Sequence, residues 1–337
     1  LSTSQWPTKL NTLFDDIYNR YIKIKDDDMV IHYNVFCKVF EQINARMKQV
    51  DKYYNKYSAR KQFAGSHYGN LRIKKPDEFD YDIVINDIVI KDQSPVDRAL
   101  LLFDRNWRGE KVLVIDGVTY SIKLSSSGPA VTLIICGEGN FLCEVDLVPA
   151  LRFPETRWPP CQGYRQIPSH CRSEYWMVVP KPNNRPTVDP ATSWRIALQD
   201  QEYKMMANNE RMKQSIRFLK KLRDTQNMKI ASYYINTLFF YELDNNSATS
   251  WQCSDSVLFQ KMVKKFYEAL VEGNIPYYWH QGHNLIEGFH RQVLNQYAKK
   301  LETLLTILEK PDSEDKCKAV YHHDRFPFGV VRNHAYK

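Results

Sequence analysis

Long apolar runs are missing from this 337-residue chain. The longest, such as VTLIIC at Val131–Cys136, fall far short of the roughly 20 residues a helix needs to cross a bilayer. Internal repeats and low-complexity stretches are also missing, which excludes solenoids, arrays and compositionally disordered tails. The seven cysteines (Cys37, Cys136, Cys143, Cys161, Cys171, Cys253 and Cys317) contain no C-x-x-C pair, and no secretory leader is visible. These absences argue against a disulfide framework. They lead us to expect a cytoplasmic protein with no membrane partner and free, mostly buried thiols.

The composition that is present is globular, with 43% apolar and 13% aromatic residues. Twenty-one tyrosines suit extensive half-wet surfaces. The net charge of +8, from 47 Lys and Arg against 39 Asp and Glu, permits nucleic-acid binding without demanding it.

Periodicity gives the organisation. A short helix is expected over 9–24, then an acidic break at Asp26–Asp28. A long helix follows over 30–62, its apolar face carried by Val35, Val39, Ile43, Met47, Val50 and Tyr54. On another face Lys48, Lys52, Lys56 and Arg60 form an i, i+4 ladder. Such a run is usually a solvated face, but like charges at that spacing repel by a few tenths of a kcal/mol per pair. A bound polyanion would relieve that repulsion. From 63 to about 150 the pattern is strand-like, with a hairpin around Asp116-Gly117 and two further strands over 130–153. Residues 154–190 read as irregular apart from a short strand at 174–179. Helices are expected over 189–206, capped by Asp189 or Thr192, and near 210–225, 228–243, 254–272 and 285–309, with an irregular end. The order is α+β: a long N-terminal spine helix, a mixed β-sheet lobe and a C-terminal helical lobe, divided as 1–190 and 191–337.

The stretch GSHYGNLRIKKPDEFDYDIVI (65–85) carries the chemistry. Glu78, Asp80 and Asp82 alternate along a strand and so share one face. Later, CEVDLVP (143–149) places Glu144 and Asp146 on one face of another apolar strand. If the two strands are neighbours, four or five carboxylates converge and repel unless divalent cations join them. Oxygen-only ligands facing a phosphate suit Mg²⁺ or Mn²⁺, and two such ions can clamp the oxygens of an in-line phosphoryl displacement. One carboxylate can also take the proton of the attacking hydroxyl. Gly65 and Ser66 in front offer close backbone N–H groups and a hydroxyl to a phosphate. The competing reading is acids protecting a strand edge and an ordinary turn.

Gly-Ser, then acid-x-acid in a strand, then a third acid on a later strand resembles the nucleotidyltransferase pattern, and most closely the animal cyclic GMP-AMP synthase-like receptors. The resemblance implies a bilobed nucleotidyltransferase fold, with Glu78, Asp80 and Asp146 as catalytic metal ligands and Asp146 a candidate base. Asp82 and Glu144 are then neighbours rather than ligands. SWRIALQDQE (193–202) resembles a segment whose arginine, here Arg195, meets a base or phosphate, with Glu202 near the nucleotide. FLKKL (218–222) resembles the helix whose lysine holds the triphosphate, here Lys220 or, one register on, Lys221. ASYYINTLFF (231–240) resembles a segment in which Ser232 binds phosphate and Tyr233 stacks on a base; core packing is the alternative for Tyr233.

Vertebrate relatives insert a His/Cys zinc ribbon where residues 203–219 of this chain hold neither His nor Cys, so no zinc is expected. His280, His283 and His290 read as structural. Ribbonless insect relatives look like sensors of double-stranded RNA. The resemblance therefore implies an RNA-activated synthase that joins ATP and GTP into a cyclic dinucleotide in innate immune signalling. A catalytically silent scaffold and a linear oligonucleotide synthase are the alternatives. Duplex RNA is read by shape and phosphate contacts, for which Lys48, Lys52, Lys56 and Arg60, the basic residues of 204–223, and Lys261, Lys264 and Lys265 are candidates. Assembly of several copies along one RNA is left open. RNA bound to the 30–62 helix would act on Gly65-Ser66, which follow that helix.

Overall fold

The computed structural model describes residues 6–24, 26–73, 78–85, 111–127, 130–158, 163–180, 194–245, 251 and 253–310. It divides into two compact units. One draws on Ile24–Pro159 and Ser169–Lys204, the other on Leu1–Lys23, Pro160–Pro168 and Met205–Arg332. Residues 169–204 thus group with the sheet, and the first helix groups with the helical unit.

The first unit is built on a sheet. Its helices are α2 (Asp26–Val50), α3 (Lys52–Tyr57) and the single turn α4 (Gly65–Tyr68). Its strands are β1 (Ser58–Ala64), β2 (Glu78–Ile85), β3 (Lys111–Ile115), β4 (Val118–Ser127), β5 (Ala130–Cys136), β6 (Leu142–Pro154), β7 (Tyr175–Val179) and β8 (Arg195–Ala197). The strand order is β1-β2-β6-β5-β4-β3, with β7 pairing both β6 and β8. β2 and β6 run parallel, while β1, β5 and β7 pair with these two strands antiparallel. The β3–β4 turn is made by Asp116 (φ +51°) and Gly117 (φ +81°), the left-handed pair that an Asp-Gly hairpin needs.

α2 lies on one face of this sheet. Val35, Phe36, Val39, Phe40, Ile43 and Met47 pack against Phe79, Tyr81 and Ile83 of β2 and Cys143, Val145 and Leu147 of β6. Phe36 is fully buried, stacking on Phe79 at 5.5 Å and meeting Tyr81 edge-on at 4.7 Å. Strand alternation then sends the even-numbered residues of β2 and β6 to the opposite face.

The spine departs from the single helix expected over 30–62. It begins earlier, with Asp27 and Asp28 in its first turn, where carboxylates suit the helix dipole. It stops at Val50, which is 51% exposed rather than in the core. Asp51 takes an extended conformation and caps α3 by accepting a hydrogen bond from the Tyr54 N–H, and the chain enters β1 at Ser58. Lys48 therefore lies on α2, Lys52 and Lys56 on α3 and Arg60 on a strand, so the four do not form one helical ladder.

The second unit holds α1 (Trp6–Ile17), continued by a π turn over Tyr18–Ile22. It also holds α6 (Glu210–Thr225), α7 (Ser232–Asn245), α8 (Asp255–Glu272) and α9 (Arg291–Leu308). The helix expected over 189–206 is instead β8 followed by α5 (Gln199–Met206); Asp189 and Thr192 lie outside the described residues. A hairpin of β9 (Pro276–Tyr277) and β10 (His280–Asn284) fills the gap between the helices expected at 254–272 and 285–309, and α9 begins only at Arg291. Phe14, Phe218 and Phe259 form the aromatic centre, with ring centroids 4.8 to 5.8 Å apart. No helix among the described residues is long and apolar enough to cross a membrane. Of the cysteines, Cys143 and Cys171 are buried, whereas Cys37, Cys136 and Cys253 are only half-buried, so the thiols are less sequestered than expected. Cys161, Cys317 and the irregular end after 310 lie outside the described residues.

Glu242 on α7 is almost wholly buried and is held by Lys261 and Lys265 of α8. Burial alone would raise its pKa; the two ammonium groups outweigh burial and lower it below the usual value of 4.5. A carboxylate whose folded pKa is depressed adds stability that is fully present above its unfolded pKa and lost as pH falls through the folded one. We expect the stability of the wild type, followed by urea unfolding from about pH 6 to about pH 3, to fall more steeply below the ordinary Glu range than that of Glu242→Gln. Parallel acid limbs would show that the lysines do not hold the carboxylate.

Candidate active site

The parallel register of β2 and β6 sets Glu78 beside Glu144 and Asp80 beside Asp146. All four are on the face away from α2. Glu78 is exposed, and Asp80, Glu144 and Asp146 are half-buried. Across β6, Asp146 is also the register partner of Thr132 on β5, whose Oγ1 donates to Asp146 Oδ1 at 2.5 Å. Carboxyl, hydroxyl and glycine backbone are hard oxygen and N–H groups, the donor set that a Mg²⁺- or Mn²⁺-bound phosphate needs. Among the described residues, however, no three His, Cys, Asp or Glu side chains stand close enough to share one ion. Asp80 and Asp146 are brought together by the register; Glu78 is placed on the same face at the exposed end of its strand.

The Gly-Ser pair and the acids meet directly. β1 ends at Ala64, the register partner of Asp80, and Gly65 follows with φ +61°. A Cβ on Gly65 would lie 1.9 Å from Asp80 Oδ2 and 2.6 Å from its Cγ, so the carboxylate would have to move aside. Glycine is thus required twice here, by its backbone angle and by the carboxylate pressed against it. Ser66 is half-buried in α4, and its carbonyl accepts from the Leu71 N–H.

Asp82, the third acid of β2, is buried. Burial pushes its carboxyl up to about 7; Arg195 pulls it down, Asp80 raises it, a hydrogen bond from Gln199 lowers it and Asp200 raises it again. Gln199 Nε2 reaches Asp82 Oδ2 at 2.8 Å. Asp200 in turn accepts from Gln62 of β1 and from the Tyr175 hydroxyl of β7. Arg195 is exposed at the start of β8, and Glu202 is half-buried on α5. Gln62, Tyr175, Gln199 and Asp200 were not anticipated; single polar side chains scattered over separate segments give no periodic signal.

The remaining candidates lie in the helical unit. Lys220 and Lys221 are both buried on α6. Ser232 begins α7 and accepts from Arg223 at 2.7 Å. The half-buried Tyr233 ring sits 5.9 Å from that of Tyr277.

The expected basic groove is largely used up inside the protein. Lys204 donates to the Arg172 carbonyl and to Ser173, and Arg211 to the Cys253 carbonyl. Lys213 and Arg217 bind Glu210, Arg217 also reaches the Tyr18 hydroxyl, and Arg223 binds Asp224. Lys261 and Lys265 hold Glu242. Lys48, Lys52 and Lys56, by contrast, are exposed, and the last two lie over the Tyr53 and Tyr57 rings, which stack in parallel at 6.5 Å. His290 caps α9, accepting from the Gln292 N–H; His280 packs edge-on against Tyr164, and His283 lies beside the Tyr277 ring.

A mixed sheet with two acids paired on adjacent parallel strands, a Gly-Ser turn against one of them and a helical unit after it defines a nucleotidyltransferase-fold protein. The chain belongs to the Mab-21 protein family: the Mab-21 nucleotidyltransferase domain matches residues 93–208, and the Mab-21 HhH/H2TH-like domain matches residues 211–303. Asp146, Arg195 and Glu202 fall within the first match, whereas Gly65, Ser66, Glu78 and Asp80 precede it. The chain is 27% identical to a cyclic GMP-AMP synthase-like receptor of Aethina tumida, over 93% of this chain and 91% of that protein. It is 29% identical to one of Ctenocephalides felis over 86% and 82%, and 28% identical to one of Microplitis demolitor over 86% and 64%.

The contact between Gly65 and Asp80 predicts energetic coupling. Gly65→Ala is expected to destabilise the protein by more than about 1 kcal/mol, because Ala at positive φ is strained and here also collides. In Asp80→Ala the same glycine change should cost less, and a double-mutant cycle from thermal or urea unfolding measures the difference. Additive effects would mean that the carboxylate does not press on the glycine.

Proposed function

We propose that this protein is a nucleotidyltransferase that makes a cyclic dinucleotide of the cyclic GMP-AMP type from ATP and GTP when double-stranded RNA binds, in the cytoplasm and in innate immune signalling. The observation that carries the reading is the Asp80–Asp146 register pair on the open face, with Gly65 pressed against Asp80. Glu78, Asp80 and Asp146 would hold two Mg²⁺ or Mn²⁺ ions, which when bound neutralise phosphate charge and align an in-line displacement. The protein's own groups do the rest. Asp146 is the candidate acceptor of the attacking hydroxyl's proton. Gly65 and Ser66 bind the triphosphate through backbone N–H and hydroxyl, with Lys220 and Ser232 as further phosphate contacts. Arg195 and Glu202 contact the nucleotide, and Tyr233 stacks on a base. No zinc takes part.

Support for the substrates comes from the similarity to several proteins described as cyclic GMP-AMP synthase-like receptors. Support for RNA comes from the exposed Lys48, Lys52 and Lys56, for phosphate contact, with Arg60 close by in sequence. Shape recognition without sequence preference would allow more than one copy to bind along a duplex. A second reading, a catalytically silent scaffold, is favoured by the absence of a three-acid cluster among the described residues.

Incubation with labelled ATP and GTP, Mn²⁺ and double-stranded RNA separates the readings. We expect one cyclic product, abolished in Asp80→Ala; no product supports the scaffold, and a ladder of products supports a linear synthase. Product that persists in Asp80→Ala would remove the site assignment. The double variant Lys48→Glu/Lys52→Glu should lose RNA-dependent product and show a shallower salt dependence of RNA affinity. Unchanged RNA dependence would place the RNA elsewhere.

A further inference from the structure

We infer that Thr132 is the positioning residue for Asp146, holding the carboxylate in the orientation that receives a divalent cation; this rests on the reading that Asp146 binds metal. β5 reads AVTLIIC, and Thr132 is the one hydroxyl in it. It is half-buried on the open face, directly across from Asp146, and its Oγ1 donates to Asp146 Oδ1 at 2.5 Å. On the other side of β6, the neighbour of Asp146 is Asp80. Asp146 therefore stands between a hydroxyl donor and a second carboxyl group.

The physical need is specific. The terminal torsion of an aspartate is broad and close to two-fold, so a half-buried carboxylate has no preferred turn of its own. A β-branched threonine is stiff at χ1, which makes its hydroxyl a fixed donor. A hydrogen bond to an ionised oxygen is among the stronger kinds, and it offsets part of the repulsion from Asp80. It engages Oδ1 and leaves Oδ2 without that bond. Residues that orient a metal ligand in this way typically cost 10–100-fold in metal affinity or activity when removed, as an order of magnitude. The competing explanation is that threonine is simply a good strand former, in which case valine, with the same shape, serves equally well.

The test is Mn²⁺ binding, followed by the electron paramagnetic resonance of the free ion with a non-hydrolysable ATP analogue present, in wild type, T132V, T132S and D146N. Thermal unfolding is measured on the same samples. We expect T132V to bind Mn²⁺ roughly 10–100-fold more weakly at a similar unfolding temperature, and T132S to recover most of the loss. If T132V is unfolded, Thr132→Ala carries the same comparison. T132V binding like wild type while D146N does not would overturn the role of Thr132 and leave the metal reading intact. Wild type and D146N binding alike would overturn the metal reading, and the positioning role with it.

Discussion

The parallel pairing of β2 with β6 is the constraint on which the site depends. Asp80 and Asp146 are 66 residues apart and meet only because eight consecutive register pairs, Glu78 with Glu144 through Ile85 with Leu151, fix one strand against the other. A slip of one residue would turn either set of acids into the core against α2, where a buried unpaired carboxylate is costly. A slip of two would keep the faces but set Asp80 beside Glu144 or Val148. The register is held from behind, by Phe36 and Phe40 of α2 against Tyr81 and by Phe36 against Phe79. The apolar face and the acidic face are thus one device: the first specifies the alignment that the second uses.

That device was largely legible in the sequence because it is written with period two. Phe79, Tyr81 and Ile83 alternate with Glu78, Asp80 and Asp82, and Val145 and Leu147 with Glu144 and Asp146. The Asp-Gly hairpin was equally plain. What could not be read was the end of the spine. The basic residues at 48, 52, 56 and 60 keep a four-residue spacing through a helix break, because surface charges are not bound by the packing that ends a helix. Asp51, an ordinary N-cap residue, was the available signal. β8 is three residues long and too short for any periodicity, and Thr132 is a lone hydroxyl in an otherwise apolar strand, which gives no pattern to read.

Charge counting misleads for a related reason. Basic residues on α6 look like a polyanion surface, yet Lys213, Arg217, Lys220 and Lys221 are buried, and the partners of Lys213 and Arg217 include Glu210 and a backbone carbonyl. A cation committed to an internal acceptor adds little to the field outside. Among the described residues, Lys48, Lys52 and Lys56 stay exposed on α2 and α3, where the last two lie over tyrosine rings, and Lys264 on α8 is exposed as well.

The three acids of β2 differ in depth, and depth divides their chemistry. Glu78 is exposed, Asp80 half-buried and Asp82 buried, along one face of one strand. Three full negative charges at that spacing, with Glu144 and Asp146 alongside, would repel strongly. Burial answers this at the innermost position, where it pushes the Asp82 carboxyl up to about 7 and so favours its neutral form. There Asp82 accepts a hydrogen bond from Gln199 Nε2. The same network runs through Asp200 to Gln62 on β1, the strand that ends one residue before Gly65. Through Gln199 and Asp200 of α5, the inner acid and Gln62 thus join β2, α5 and β1 into one polar layer behind the outer carboxyl groups.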